Sequence, residues 1–202
     1  MLVSCRRDSC KKRLLTSCVT EDLRGKEMAD LTVPVHQDDH VQGPATAPVT
    51  LVEYADYECP YCADAYPVVK MIQQQLGSSL RFVFRHFPRS DFHHHARHAA
   101  EAAEAAAAQG KFWEMDGTLF EHQRALEDAD LEYYAAQLGL AMETFKQEMA
   151  QHIYAQRIYE DIESGTRSGV RGTPTFFING MLHEDTYTLE VLLPAMKKAL
   201  GS

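Results

Sequence analysis

The stretch ADYECPYCADAY, residues 55–66, places Cys59 and Cys62 two residues apart, with Pro60 directly after the first. Half of a metal site, a redox pair and two inert core thiols are the three readings of such a spacing. A structural zinc centre needs four ligands, usually from two such pairs. The remaining cysteines, Cys5, Cys10 and Cys18, all lie near the N-terminus, and no second C-x-x-C exists. The flanks favour redox chemistry. VTLVEYA (49–55) is nearly all apolar, like a strand buried on both faces. PYCADAYPVVKMIQQQL (60–76) reads as a helix opening on proline, whose missing N–H does no harm at the first position. A C-x-x-C at a strand–helix junction reads as a thioredoxin-like site.

That placement carries the chemistry. Cys59 falls at the helix N-cap, where unpaired N–H groups and the positive end of the helix dipole face its sulfur. A thiol so placed drops below its usual pKa of about 8.5, and only the thiolate attacks a disulfide. Cys62 lies one turn further in, on the same side, as suits a shielded resolving thiol. Cys59 is therefore expected to be open to substrate and Cys62 enclosed. Two distant features fit. Pro174, in GTPTFF (172–177), stands just before a strand, where an X–Pro bond adopts either cis or trans geometry. Glu53 interrupts the apolar run six residues before Cys59, and a carboxylate there is costly unless paired or protonated. Glu53 is either at a solvated strand end or the proton acceptor for Cys62.

Outward from this core, residues 31–48 hold four Pro/Gly and read as an extended lead-in, and LRFVFRHF (80–87) as a second strand. The alanine-rich FHHHARHAAEAAEAAAAQG (92–110) predicts a helix. Three more helices are expected over 111–123, 130–138 and 142–164. TFFI (175–178), the Asn179-Gly180 turn and MLH form a hairpin, and 188–200 a closing helix. The expected organisation is a basic tail (1–30) with a later start available at Met28, a first sheet segment (31–91), a helical insertion (92–164) and a second sheet segment (165–202).

The run VTLVEYADYECPYC, the helical insertion and then GVRGTPTFFING resemble, in that order, the DsbA-like branch of the thioredoxin superfamily. The resemblance implies an α/β thioredoxin-like fold with an inserted α-helical domain and the activity of a protein disulfide oxidoreductase. It makes Cys59 the nucleophile, Cys62 the resolving thiol, Pro174 a cis residue beside them, Thr173 a neighbour of the sulfurs and Glu53 the buried acid. Pro60 and Tyr61, between the cysteines, and Thr173 are the expected substrate contacts. Glutaredoxins share CPYC but are shorter and lack the insertion. A redox-inactive chaperone or scaffold, and a glutathione-dependent isomerase or transferase, are the rival functions; the intact pair argues against the first and Cys62 against the second.

No cofactor is implied, since the cysteines themselves cycle. The partners implied are protein or small-molecule thiols and disulfides, with a recycling redox partner. The net charge of −9 speaks against broad nucleic-acid binding. The first 27 residues hold seven Lys/Arg against four Asp/Glu but no apolar stretch of a secretory signal, and no run of 18 apolar residues suggests membrane insertion. A cytoplasmic location is the corresponding expectation. His94 and His98, four apart, would share a helix face, but read as a polar helix start rather than a metal pair. RHFPRS (85–90) reads as a solvated loop in preference to a lining of the groove near the active site, and Phe112, Trp113, Met115, Leu119 and Phe120 as core in preference to a binding patch.

Overall fold

The computed structural model describes residues 30–201, so the basic tail lies outside the described residues. Two parallel strands at the centre, β2 (Val49–Ala55) and β3 (Leu80–His86), are joined by α1 (Pro60–Leu76), which runs unbroken through the exposed Pro67. A short β1 (His40–Gln42) pairs antiparallel with β3. On the other side of β2 the hairpin β4 (Thr175–Ile178) and β5 (Met181–His183) completes a five-stranded mixed sheet of order β1-β3-β2-β4-β5. α7 (Leu189–Leu200) closes the chain. This is the expected thioredoxin-like α/β fold with an inserted helical domain.

Five helices fill the insertion between β3 and β4: α2 (Ala96–Ala108), α3 (Phe112–Glu121), α4 (Asp128–Gln137), α5 (Met142–Ala150) and α6 (Ala155–Arg167). The single helix expected over 142–164 is divided. His152 takes a positive φ of 50°, and its Nδ1 lies 2.8 Å from Oε2 of the buried Glu101 on α2. α2 starts four residues later than its alanine run suggested. Its first N–H groups have no cap of their own; Glu58 of the active-site loop accepts from His95 and Ala96 at 2.7 and 3.0 Å. The alanines of α2 are buried nearly all round, because methyl side chains let α3, α4 and α5 approach closely.

Alternation along the strands assigns each residue a face. Leu51, Ala55, Phe82 and Phe84 join the large core with α1, α3 and α7. Val52, Tyr54, Val83 and Phe177 join a smaller core on the opposite face, with Phe87, Val170 and Ile162 of α6. Gly165 of α6 packs so near this layer that a Cβ there would meet Phe87 and Tyr54 at 2.9 Å. Arg85, fully buried, pins the lead-in: Nε and Nη2 donate to Asp39 at 2.8 and 2.9 Å, Nη1 to the Val33 carbonyl and the Tyr54 hydroxyl.

The ends of the described chain share one pole. Asp30 bridges to Met181 beside the Asn179-Gly180 turn, and the Asn179 N–H bonds the Thr50 carbonyl at the start of β2. The last turns of α7, at Ala195 and Ala199, line one groove with Ile178 and Met181 in the same region. The C-terminal end of β2, seven residues of strand away, carries the cysteines.

Candidate active site

β2 ends at Ala55 and the chain turns through Asp56–Glu58 into α1. Asp56, 1% accessible, organises the turn: its carboxylate accepts from the Glu58 and Arg89 backbone N–H groups at 2.8 and 2.7 Å and lies 2.7 Å from His93 Nδ1. Cys59 is the N-cap of α1 with φ −75° and ψ 120°, and Pro60 is the first helical residue, as the sequence predicts. Both cysteines are free thiols. Cys62 is fully enclosed and receives the Asp56 N–H at 3.5 Å. Cys59 is more enclosed than expected, at 5% accessibility, because the Thr173 segment lies over it, the thiol donating to the Thr173 carbonyl at 3.2 Å. The Thr173–Pro174 peptide is cis. Thr173 Oγ1 is buried without a protein partner. Pro60 and Tyr61 are exposed, Tyr61 by 61%, and border the approach to the sulfur.

The two thiols are driven apart electrostatically. The Cys62 thiol, donating to the Cys59 sulfur, does most to stabilise thiolate there. Burial opposes this, and the Thr173 side chain beside the sulfur, with the backbone N–H groups of Cys62 and Tyr61, adds to it, so that Cys59 falls to about 5. Cys62 is pushed well up, first by burial, then by its bond to Cys59 and by the Glu53 charge. Cys59 is thus a thiolate near neutral pH and Cys62 a thiol.

Glu53 is 4% accessible and does not face solvent. Period-two alternation turns it to the α1 face, the side of Cys62. It shares a cavity of ≈ 10 Å³, at the lower limit of what one water needs, with Asp116 and Lys70. Asp116, on α3, is 2% accessible and accepts the Tyr57 hydroxyl at 3.2 Å. Burial first, and the Asp116 charge second, raise Glu53 to about 8, with Lys70 pulling the other way. Burial raises Asp116 to about 7 against the pull of Lys70 and Tyr57. Two carboxyls in one dry pocket beside a single ammonium do not both ionise readily, so the pocket stores a proton near the resolving thiol.

Residues 36–198 match the family model described as Thioredoxin. The chain belongs to the thioredoxin family. Its fold resembles that of BdbD from Bacillus subtilis, with a TM-score of 0.75 and 23% identity over 87% of this chain and 98% of that one. A thioredoxin-like oxidoreductase from Silicibacter pomeroyi superposes with a TM-score of 0.74 at 26% identity, covering 83% of this chain and 95% of the other. The structural neighbours of this thioredoxin-family chain are DsbA-like thiol–disulfide oxidoreductases. In sequence it is 49% identical over 174 residues to the Na(+)/H(+) antiporter NhaA 3 of Salinispora tropica, a match that covers 86% of this chain and 26% of that protein. The chain therefore spans about a quarter of the length of such relatives.

Cys59, Cys62, Pro60, Tyr61, Glu53, Thr173 and Pro174 thus gather at one end of the sheet. Several neighbours were not legible from spacing. Asp116 and Gln123 come from the insertion; Gln123 Nε2 donates to the Tyr57 and Cys59 carbonyls at 2.9 and 2.6 Å. Arg89 is no free loop residue: Nη1 bonds the Arg171 carbonyl at 2.7 Å, tying the loop after β3 to the segment before Pro174. His98 pairs with Asp128 at the surface, and His94 joins no group of three ligating side chains among the described residues. Phe112, Met115, Leu119 and Phe120 are core, with Trp113 packed against them.

Proposed function

We propose that this chain is a thiol–disulfide oxidoreductase working through Cys59-Pro60-Tyr61-Cys62. The observation that carries the reading is the pairing of an N-capping thiol lowered to about 5 with an enclosed thiol pushed well up, one helical turn apart.

In the reducing direction the Cys59 thiolate attacks a substrate disulfide, forming a mixed disulfide and releasing one substrate thiolate. Cys62 then attacks the Cys59 sulfur. Its proton passes, directly or through one water, to Glu53 in the share of molecules where that carboxyl is ionised, a share that grows as pH approaches 8; the Cys59–Cys62 disulfide forms, and the second substrate thiolate leaves. Two electrons have moved from the pair to the substrate. In the oxidising direction the steps reverse, and the Glu53 carboxyl protonates Cys62 as it departs. Stabilisation of the Cys59 thiolate favours the dithiol form of the pair, which makes the disulfide form a good oxidant. Thr173, whose carbonyl lies 3.2 Å from the Cys59 sulfur and whose backbone leads into β4, is the natural contact for an extended substrate segment. Substrates are protein or small-molecule thiols and disulfides, and turnover needs a redox partner to reset the pair.

Relatives matched over about a quarter of their length carry the name of Na(+)/H(+) antiporters. We assign the chain their thioredoxin-like portion and the redox step, not the antiport; no helix among the described residues is long and apolar enough to cross a membrane. The test is substrate trapping. Cys59→Ser abolishes exchange, whereas Cys62→Ser keeps the first attack and accumulates substrate bound to Cys59. Trapping by Cys59→Ser instead reverses the roles, and unchanged exchange in both variants makes the pair structural.

A further inference from the structure

Between the sheet and the helical lobe, away from the thiols, three potential ligands converge. His40 comes from β1, His86 from the end of β3 and Glu104 from the middle of α2. Nε2 of His40 lies 2.8 Å, and Nε2 of His86 3.0 Å, from the same oxygen, Glu104 Oε1. All three ligand atoms lie within 4.8 Å of one another, the only such group among the described residues. The His86 and Glu104 side chains are 1% and 8% accessible, and that of His40 is 14%. The redox step uses none of them.

We propose that His40, His86 and Glu104 bind one divalent cation of the borderline class that takes imidazole and carboxylate together, such as zinc or cobalt(II). The donor set of two neutral nitrogens and one anionic oxygen suits these ions and not calcium or magnesium, which take oxygen ligands. Bonds of about 2.1 Å at tetrahedral or octahedral angles set neighbouring ligand atoms about 3.0–3.4 Å apart. The two edges to Glu104, 2.8 and 3.0 Å, need to open by at most about 0.6 Å, and the His40–His86 edge, within 4.8 Å, closes onto the same ion by rotation of the rings. The rings already aim their Nε2 atoms inward, and packing holds them there. His40 stacks on Phe112 with centroids 3.4 Å apart, and His86 meets Phe112 and Tyr57 edge-on at 6.0 and 5.9 Å. Placing each ring proton on Nδ1 frees an Nε2 lone pair for the ion. The ion enters on the side of His40, the least enclosed of the three ligands, and water completes its shell from there. One ion there cross-links β1, β3 and α2, joining the sheet to the insertion.

The experiment uses the full chain with the Cys59–Cys62 disulfide formed and the other thiols alkylated, so that sulfur cannot supply ligands. The metal-stripped protein is titrated with cobalt(II), read by its visible absorption, and its melting is followed with and without zinc. The expected result is one ion per chain, no thiolate-to-cobalt band, and an upward melting shift with zinc. His40→Phe keeps the aromatic stack and removes a ligand; Glu104→Gln keeps the shape and removes the charge. Each should weaken binding by at least about 100-fold and erase the melting shift, while the disulfide still exchanges. Absence of cobalt bands and of a zinc shift at tens of micromolar metal overturns the proposal, leaving a hydrogen-bonded triad. Cobalt binding retained in both variants overturns it equally, because the ion then sits elsewhere.

Discussion

Glu53→Gln should gain stability relative to wild type as the pH rises through neutrality, and should be a poorer enzyme. In the native state Glu53 titrates at about 8, against 4.5 for an unburied carboxyl. Its folded pKa is raised, so its contribution is fully present below the unfolded value and is lost as pH climbs towards the folded one. Between about pH 5 and about pH 8 that loss amounts to roughly 3.5 kcal/mol, from 1.4 kcal/mol per unit less the part already titrated at each end. A glutamine does not titrate, so the stability of the variant relative to wild type should rise by about this amount across the window, whatever constant cost its buried amide adds. Urea unfolding at a series of pH values measures the difference directly. In the same variant, decay of a pre-formed mixed disulfide should slow by about 100-fold or more near pH 8, while the first attack by Cys59 keeps its rate. A stability difference that stays flat across the window refutes the buried, proton-holding Glu53. Equal slowing of both chemical steps refutes its role towards Cys62.

Alkylation of Cys59 should follow a midpoint of about 5, with Cys62 unreactive until far higher pH; removing the Cys62 donor by Cys62→Ala should move the Cys59 midpoint upward, and an unmoved midpoint would discount that hydrogen bond. At about pH 7 the Cys59 shift favours the dithiol form by about 2.7 kcal/mol, or about 60 mV of reduction potential over an unperturbed pair, measurable against glutathione buffers. Asp116→Asn removes the second carboxylate from the Glu53 pocket, so the pH midpoint of resolution should fall; an unchanged profile would separate Asp116 from the proton store. Arg85→Ala strands the buried Asp39 and should cost about 3–5 kcal/mol in chemical denaturation, whereas Arg85→Met combined with Asp39→Leu should recover most of the loss.

What the sequence made legible was local. A proline after Cys59, at a strand–helix junction, sets the N-cap position through backbone geometry within a few residues, and the alternation of VTLVEYA turns Glu53 to the side of Cys62. The partners that tune these groups come from elsewhere in the chain. Asp116 sits among the apolar residues of α3, where only burial distinguishes it from a surface carboxylate, and Gln123 follows the same helix in an exposed turn. Glu104 lies 64 residues from His40 and 18 from His86, inside an alanine-rich helix whose glutamates look like its solvated face. β1 escaped notice because three residues are too few to display a period, and its order depends on Arg85 gripping Asp39. The break between α5 and α6 has no glycine or proline to announce it; a tertiary contact from His152 to Glu101 accompanies it.

The thiols occupy one pole of the sheet, while Asp30 and the last turn of α7 meet near the Asn179-Gly180 turn at the other. A folded unit whose described residues begin and end together, far from its reactive face, behaves as a plug-in part. It can be carried within a longer chain, by either end, with its chemistry still facing outward. That geometry accords with relatives in which the matched segment makes up only about a quarter of the whole. It also means that a tether or label placed at Asp30 or at the last turn of α7 sits at the pole opposite Cys59.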